Sequence, residues 1–208
     1  INRGVMHHKP ARDVPQPNRG DKLKYGEYVM RLGHCWECHS MGGMGPRDKD
    51  EKGFLSGSDH ADELTGVGKV YFRNLTPDVE TGIGRYTDAE LARMLRHGVR
   101  PEGTAVLPFM PFADMAADDL DAVISFLRSQ APVRHVVAPS APNVLGRVVK
   151  AFVLTPKGPT MPVRQTVPPA ETADYGRYLA HNVANCVACH TKMYMRTGEK
   201  IGPLFGGG

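Results

Sequence analysis

Cys35-Trp36-Glu37-Cys38-His39 is the motif on which the fold of this chain depends, and it recurs as Cys186-Val187-Ala188-Cys189-His190. Cys-x-x-Cys-His is the attachment signature of a c-type haem. Its two thiols bond to the vinyl groups of the haem, and the adjacent histidine is the proximal ligand of the iron. One helical turn brings both sulfurs to one edge of the ring. The sequence therefore predicts two covalent haem c groups, held by Cys35, Cys38, His39, Cys186, Cys189 and His190.

Other roles for paired cysteines are less consistent with the sequence. Zinc sites usually combine two Cys-x-x-Cys pairs that lie much closer together than positions 35 and 186, and here each pair has its own histidine. A thioredoxin-like redox motif would need a surrounding βαβ pattern, which the sequence does not show. All four cysteines lie in the two motifs, so none remains for a disulfide or a thiolate iron ligand.

Composition and charge narrow the class of protein. The 208 residues are 41% hydrophobic with a formal net charge of +4, which the propionates of two haems would offset. A nucleic-acid partner is therefore not expected. There is no run of 18 apolar residues, so no membrane span is predicted. Because bacteria attach haem c outside the cytoplasm, we expect a protein of the periplasm or of the outer face of the inner membrane. Its targeting segment or anchor would lie outside this sequence, which begins at Ile1.

Hydrophobic periodicity and capping patterns predict three helices around the first motif. They cover residues 22–34, 88–97 and 117–129, and Thr87 with Glu90 has the spacing of a capping box. Glycines and prolines punctuate residues 40–84, so we expect a long loop that wraps the haem edge. The fold class is accordingly all-α.

The chain also repeats itself. Tyr25-Gly26-Glu27-Tyr28 matches Tyr175-Gly176-Arg177-Tyr178, and Phe54-Leu55-Ser56-Gly57 resembles Leu204-Phe205-Gly206-Gly207. Two copies of one haem-binding domain in tandem explain these matches, with the second copy expected to be truncated in this sequence. The predicted organisation is an extended arm over 1–24, domain 1 over 25–130, a proline-rich linker with a short helix over 131–170, and the start of domain 2 over 171–208. The short helix, within residues 144–154, is expected to pack on one of the domains. A membrane-surface role is the alternative, which is less favoured because Arg147 and Lys150 are its only cations.

The distal face of the first iron needs a ligand, and Met110 is the candidate. It lies in Leu107-Pro108-Phe109-Met110-Pro111-Phe112, where the prolines stiffen the backbone. Met110 could equally be a core residue, since methionine fills gaps well, and spacing leaves both roles open. A residue spans at most about 3.5 Å, so Met41 and Met44 are too close to His39 to pass around the ring without strain. Other possible ligands that we expect to pack or to lie at the surface are Met94, Met115, His7, His8, His34, His60 and His97.

For the second iron, the sequence offers no comparable ligand. Met193 and Met195 follow His190 too closely, and the residues around Met161 do not resemble those around Met110. We therefore expect that this stretch supplies no distal protein ligand to the second iron, and that either further chain or a partner covers that face.

Asn74-Leu75-Thr76-Pro77-Asp78, followed by the stretch from Glu80 to Asp88 (ETGIGRYTD), resembles the class I cytochrome c domains of multihaem dehydrogenase subunits. Such subunits serve membrane-bound alcohol and aldehyde dehydrogenases. The resemblance covers residues 25–130 well and 171–208 in part. It implies that Met110 is the distal ligand, because the methionine of a Met-Pro-Phe/Tyr turn has this role in the family. The family often has tryptophan where Tyr86 stands, and a phenol could donate in its place.

The resemblance implies an electron-transfer subunit of an oxidoreductase system in a respiratory chain, with no catalysis of its own. Electrons would pass from a dehydrogenase or a quinol-oxidising partner to another cytochrome or a terminal oxidase. The alternative is a dihaem enzyme such as a cytochrome c peroxidase, which needs an open iron position with acid–base groups above it. Membrane association would come through a segment or subunit outside this chain.

Overall fold

A computed structural model describes residues 16–42, 51–64, 67–106, 110, 112–152, 155–156, 158–194 and 199–207. The helices are α1 (Lys22–Leu32), α2 (Cys35–His39), α3 (Asp88–His97), α4 (Ala117–Ser129), α5 (Val144–Phe152), α6 (Ala173–Tyr178) and α7 (Cys186–His190), with a 3-10 turn at Ile83–Arg85 and a π-helical turn at Leu179–Val183. The strands are β1 (Asp62–Leu64), β2 (Gly68–Val70), β3 (Ala141–Pro142), β4 (Met193–Tyr194) and β5 (Glu199–Lys200). In the part of the chain that the structure describes, no helix is long and apolar enough to cross a membrane.

The helices predicted from capping and periodicity are confirmed. α3 and α4 occupy the predicted residues. Thr87 and Glu90 form the predicted capping box, in which each side chain accepts a hydrogen bond from the backbone N–H of the other residue. α1 ends at Leu32, two residues earlier than predicted, because the chain turns at Gly33 and His34 has a positive φ of 56°.

α1 packs against α4 to form the centre of the hydrophobic core. A Cβ at position 26 would lie 2.0 Å from the Ala122 carbonyl oxygen and 2.9 Å from Phe126 Cβ, so only glycine allows the two backbones to approach this closely. Phe126 therefore contacts the first helix. Met30 and Leu55, both fully buried, belong to the same cluster.

The structure also has a small sheet that the sequence did not predict. β1 and β2 are antiparallel, with Glu63 opposite Lys69, and β3 pairs with the other edge of β2, with Ala141 opposite Lys69. Strands of two or three residues are too short to show an alternating pattern. The sheet joins residues from the predicted linker to the loop that follows the first motif.

The proline-rich segment 131–170 follows the surface of the first-domain residues instead of hanging free. Near its start, Asn74 Nδ2 donates to the Val133 carbonyl at 2.8 Å, and the His135 ring donates through Nδ1 to the Ser56 carbonyl at 2.8 Å. Near its end, the Ala117 amide donates to the Arg164 carbonyl at 3.0 Å. Both ends of the segment are thus held by hydrogen bonds to residues distant in sequence.

A buried carboxylate connects the two halves of the chain. Asp119, on α4, is 1% exposed and accepts hydrogen bonds from the phenols of Tyr25 at 2.8 Å and Tyr178 at 2.5 Å. Tyr178 belongs to α6, and its phenol oxygen also accepts from the Ala116 amide at 3.0 Å. Arg19 Nη2 lies 3.4 Å from the same carboxylate. The start of the second repeat is therefore attached to α4 of the first.

Candidate haem-binding sites

The first motif forms its own short helix, α2, set off from α1 by the left-handed backbone of His34. Cys35 and Cys38 lie one turn apart in this helix, and both are free thiols. Burial raises the pKa of the Cys35 thiol to about 12, so it is a protonated thiol. This spacing on a helix presents both sulfurs on one side, as attachment at two neighbouring vinyl groups requires.

His39 is held in the state that an iron ligand needs. Its side chain is nearly buried, and its Nδ1 lies 2.7 Å from the Arg73 carbonyl oxygen. Because a carbonyl can only accept, Nδ1 carries the proton and Nε2 keeps its lone pair. Burial lowers the pKa of the ring below its usual value, which favours the neutral imidazole. Such a hydrogen bond, made by the ring nitrogen that does not bind the metal, also fixes the orientation of a ligating histidine.

Two reduced thiols and one oriented neutral imidazole are the donor set that a covalently attached haem requires, so the residues at the first motif fit this group. The ring of Phe72 contacts the His39 ring edge-on, with centroids 5.8 Å apart. The hydrophobic core comes close to the motif, because Cys35 and Trp36 pack against it.

The second motif repeats the local geometry of the first. Helix α7 begins after Asn185, whose φ of 51° and ψ of 32° match the 56° and 23° of His34. Further along, Phe205 and Gly207 have φ values of 60° and 90°, as Leu55 and Gly57 have 55° and 90°. Left-handed backbone is uncommon at residues other than glycine, so its recurrence at matching positions is a specific likeness.

Hydrogen bonds behind the motifs recur as well. The Gly57 amide donates to the His39 carbonyl at 2.8 Å, and the Gly207 amide donates to the His190 carbonyl at 3.0 Å. The hydroxyl after each histidine, on Ser40 or Thr191, accepts from a backbone amide at 3.0 Å; the donor is Leu55 in the first copy and Phe205 in the second.

The two sites differ in how much surrounds them. His39 is nearly buried, whereas His190 and Cys189 are exposed. Val187 is buried and Cys186 is partly buried, so the second motif packs through one side of its helix.

The candidate distal ligands differ in burial, and some of them lie outside the described residues. Met110 is partly buried and packs against the hydrophobic core, and its carbonyl accepts from the Phe112 amide at 3.0 Å. Its neighbours Pro108, Phe109 and Pro111 lie outside the described residues, as do Met44, Met195, His7, His8 and Leu107. Met161 is 54% exposed. Among the described residues, no group of three or more His, Cys, Asp or Glu side chains could hold a metal ion.

Sequence reasoning missed the residues that support the proximal histidine. The Arg73 carbonyl lies 34 positions from His39, and no local pattern announces this contact. Ser40 and Thr191, which are 0% and 1% exposed, were also not among the predicted site residues. A hydroxyl residue directly after each Cys-x-x-Cys-His was a visible signal, because it is shared by both copies.

Comparison with known proteins agrees with this geometry. The chain is 33% identical over 187 residues to the gluconate 2-dehydrogenase cytochrome c subunit of Pantoea cypripedii, covering 86% of this chain and 40% of that protein. It is 32% identical over 201 residues to the cytochrome c subunit of alcohol dehydrogenase (quinone) from Gluconacetobacter polyoxogenes, covering 89% and 39%. It is 28% identical over 197 residues to a diheme cytochrome c-type protein of Cereibacter sphaeroides, covering 90% and 64%. No family model matches.

These relatives are cytochrome c subunits of dehydrogenases together with a diheme cytochrome c, which agrees with the resemblance seen in the sequence. Such relatives imply covalently bound haem c. The chain spans about two fifths of the length of the first two.

Proposed function

We propose that this chain is an electron-transfer cytochrome that binds two haem c groups covalently in two tandem, all-α, class I cytochrome c-like domains. The observation that carries the proposal is the repeated Cys-x-x-Cys-His helix, with the same left-handed residue before it and the same amide-to-carbonyl hydrogen bond behind it. The names of the relatives support the same function. We propose the same domain boundaries as those predicted from the sequence, with domain 1 over 25–130 and the start of domain 2 over 171–208.

The residues that would hold the first haem are Cys35 and Cys38 through their sulfurs and His39 through Nε2, with Met110 as the distal ligand. Cys186, Cys189 and His190 would hold the second. When bound, haem supplies a one-electron couple whose potential depends on the axial ligands. The protein's part is to fix these ligands. The Arg73 carbonyl orients His39, and the core around Met110 limits the freedom of its thioether.

Electrons would enter from a dehydrogenase or a quinol-oxidising complex and leave to another cytochrome or a terminal oxidase of a respiratory chain. The relatives support a dehydrogenase partner, since several are subunits of such enzymes. We place the protein in the periplasm or on the outer face of the inner membrane, because bacteria attach haem c outside the cytoplasm. Attachment to the membrane would come through another segment or subunit.

Counting haem per chain tests the proposal directly. The pyridine haemochrome spectrum of the purified protein should give two haem c groups per chain. The paired variants Cys35→Ser/Cys38→Ser and Cys186→Ser/Cys189→Ser should each retain one, because each motif attaches its own haem. A wild-type protein with one haem, or a pair of substitutions that removes none, would contradict the two-haem proposal.

Replacing Met110 with alanine tests the distal ligand. The variant should lose the weak far-red band of a ferric methionine–iron bond, and the potential of one haem should fall by on the order of 0.1 V, within the about 0.8 V range that axial ligands cover. Met94→Ala is the matched control, because Met94 also packs partly buried against the core. It should keep the band. An unchanged spectrum in Met110→Ala would refute the assignment.

Peroxide assays separate this function from the dihaem enzyme. The reduced protein should deliver its electrons to an oxidised cytochrome and should show no sustained turnover with hydrogen peroxide. Sustained turnover would favour the peroxidase instead.

A further inference from the structure

Helix α5 presents an apolar stripe to solvent. Val144, Val148 and Phe152 are spaced four residues apart on one face, and they are 78%, 48% and 83% exposed. Leu145 adds to the stripe at 41% exposure. A helix that only packed on the domain would turn such a stripe inward. The stripe is therefore expected to bind an apolar surface that is not part of the described residues.

A different side of α5 attaches the helix to the protein. Gly146 and Val149 are buried, and a Cβ at position 146 would lie 2.1 Å from the Val67 carbonyl oxygen. The Asn143 side chain accepts from the Gly146 amide at 2.7 Å and so holds the first turn. This attachment fixes which side of α5 faces outward. The sequence predicted a helix packed on a domain, and the packing involves only this narrow side.

The charged residues of α5 have one sign. They are Arg147 and Lys150, and no aspartate or glutamate occurs between Asp121 and Glu171. Arg128 and Arg134, in the same acid-free stretch, pair with Asp88 and Glu80 and so add no free charge. At about 100° per residue, Arg147 and Lys150 lie on one side of the stripe. An apolar stripe on a helix whose charged side chains are cations is complementary to the headgroups and acyl boundary of an anionic lipid layer.

We propose that α5 binds the surface of an anionic phospholipid bilayer. Val144, Val148 and Phe152 would enter the acyl boundary, and Arg147 and Lys150 would contact headgroup phosphates. Nine helical residues are about 14 Å long, about half of the hydrocarbon thickness, so α5 lies along the surface. This contact would add to an attachment through another segment or subunit, and it does not depend on the electron-transfer function proposed above.

Vesicle flotation with the holoprotein tests the proposal. Vesicles of phosphatidylglycerol and phosphatidylcholine in equal amounts should carry the protein, and vesicles of phosphatidylcholine alone should carry much less. Arg147→Gln and Lys150→Gln should each weaken binding about fivefold at low salt. Val148→Ser/Phe152→Ser should weaken it by at least about tenfold. Val79→Ser is the control, because Val79 is 67% exposed outside α5, and it should bind like the wild type.

Three results would overturn the proposal. One is equal binding to charged and neutral vesicles, or to neither. Another is a Val148→Ser/Phe152→Ser variant that binds like Val79→Ser while the haem spectrum and helical circular dichroism of both are unchanged. The third is a concentration-dependent dimer, or a stable complex with a dehydrogenase subunit, that the same double substitution abolishes. That result would make the stripe a protein interface.

Discussion

Replacing Asp119 with asparagine probes the contact that joins the two repeats. The carboxylate is 1% exposed and accepts from the phenols of Tyr25 and Tyr178, with Arg19 Nη2 at 3.4 Å. Asparagine has nearly the same shape, so packing is preserved. It offers one carbonyl oxygen and an NH2 group, so one phenol loses its acceptor, and the charge that Arg19 faces disappears.

The magnitude follows from the number of hydrogen bonds lost. A hydrogen bond to a buried charged group contributes about 1.5–3 kcal/mol to stability. Losing one of them together with the charge opposite Arg19 should lower the free energy of unfolding by about 2–4 kcal/mol. Domains are stable by only about 5–15 kcal/mol, so this loss is readily measured.

Guanidinium unfolding of the holoprotein, followed by far-UV circular dichroism, measures the effect. Asp121→Asn is the matched control, since Asp121 lies on the same helix but is 61% exposed and pairs with Lys22 at the surface. This control should change stability by less than about 1 kcal/mol. The double variant Asp119→Asn/Tyr178→Phe should lose less stability than the sum of the two single variants, because both substitutions remove the same interaction. If Asp119→Asn costs no more than Asp121→Asn, the buried network does not stabilise the fold.

Two further predictions concern the same helices. Gly26→Ala should destabilise the protein by about 3 kcal/mol or more, because the new Cβ would overlap the Ala122 carbonyl. Gly176→Ala should stabilise it by about 0.5–1 kcal/mol, because nothing lies within 4 Å of a Cβ at that position. Equal shifts of the melting temperature in the two variants would contradict this packing. Burial, and then the Asp119 carboxylate, raises the pKa of Tyr25 and of Tyr178 well above the usual value. Unfolded tyrosines lose their protons above about pH 10 while these two keep theirs, so their contribution is complete below that pH and decreases as pH rises, by up to about 1.4 kcal/mol per pH unit for each residue. Tyr178→Phe should flatten this alkaline slope, and a slope equal to that of the wild type would refute the assignment.

Local spacing in the sequence was enough for the features that depend on neighbouring residues. Cys35, Cys38 and His39 lie within one helical turn, so their joint chemistry can be read without a structure. The bounds of α3 and α4 follow from capping and periodicity, and both agree with the structure. The repeat was also visible, because its marker residues keep the same order and nearly the same spacing in both copies. The two-domain organisation and the distal role of Met110 stay predictions.

Contacts between distant residues were decided by the tertiary structure. The Arg73 carbonyl reaches His39, and Asp119 meets Tyr178, only after loops and helices have folded together. Any backbone carbonyl can accept a hydrogen bond, so no residue type marks the one that bonds to His39. The prolines of 131–170 predicted a linker, but they do not say which surface it follows. The apolar residues of α5 likewise predicted packing. The side of that helix that faces inward is set by the contact with Val67, whose carbonyl lies so close to position 146 that only glycine fits there. In this orientation Phe152 is exposed to solvent.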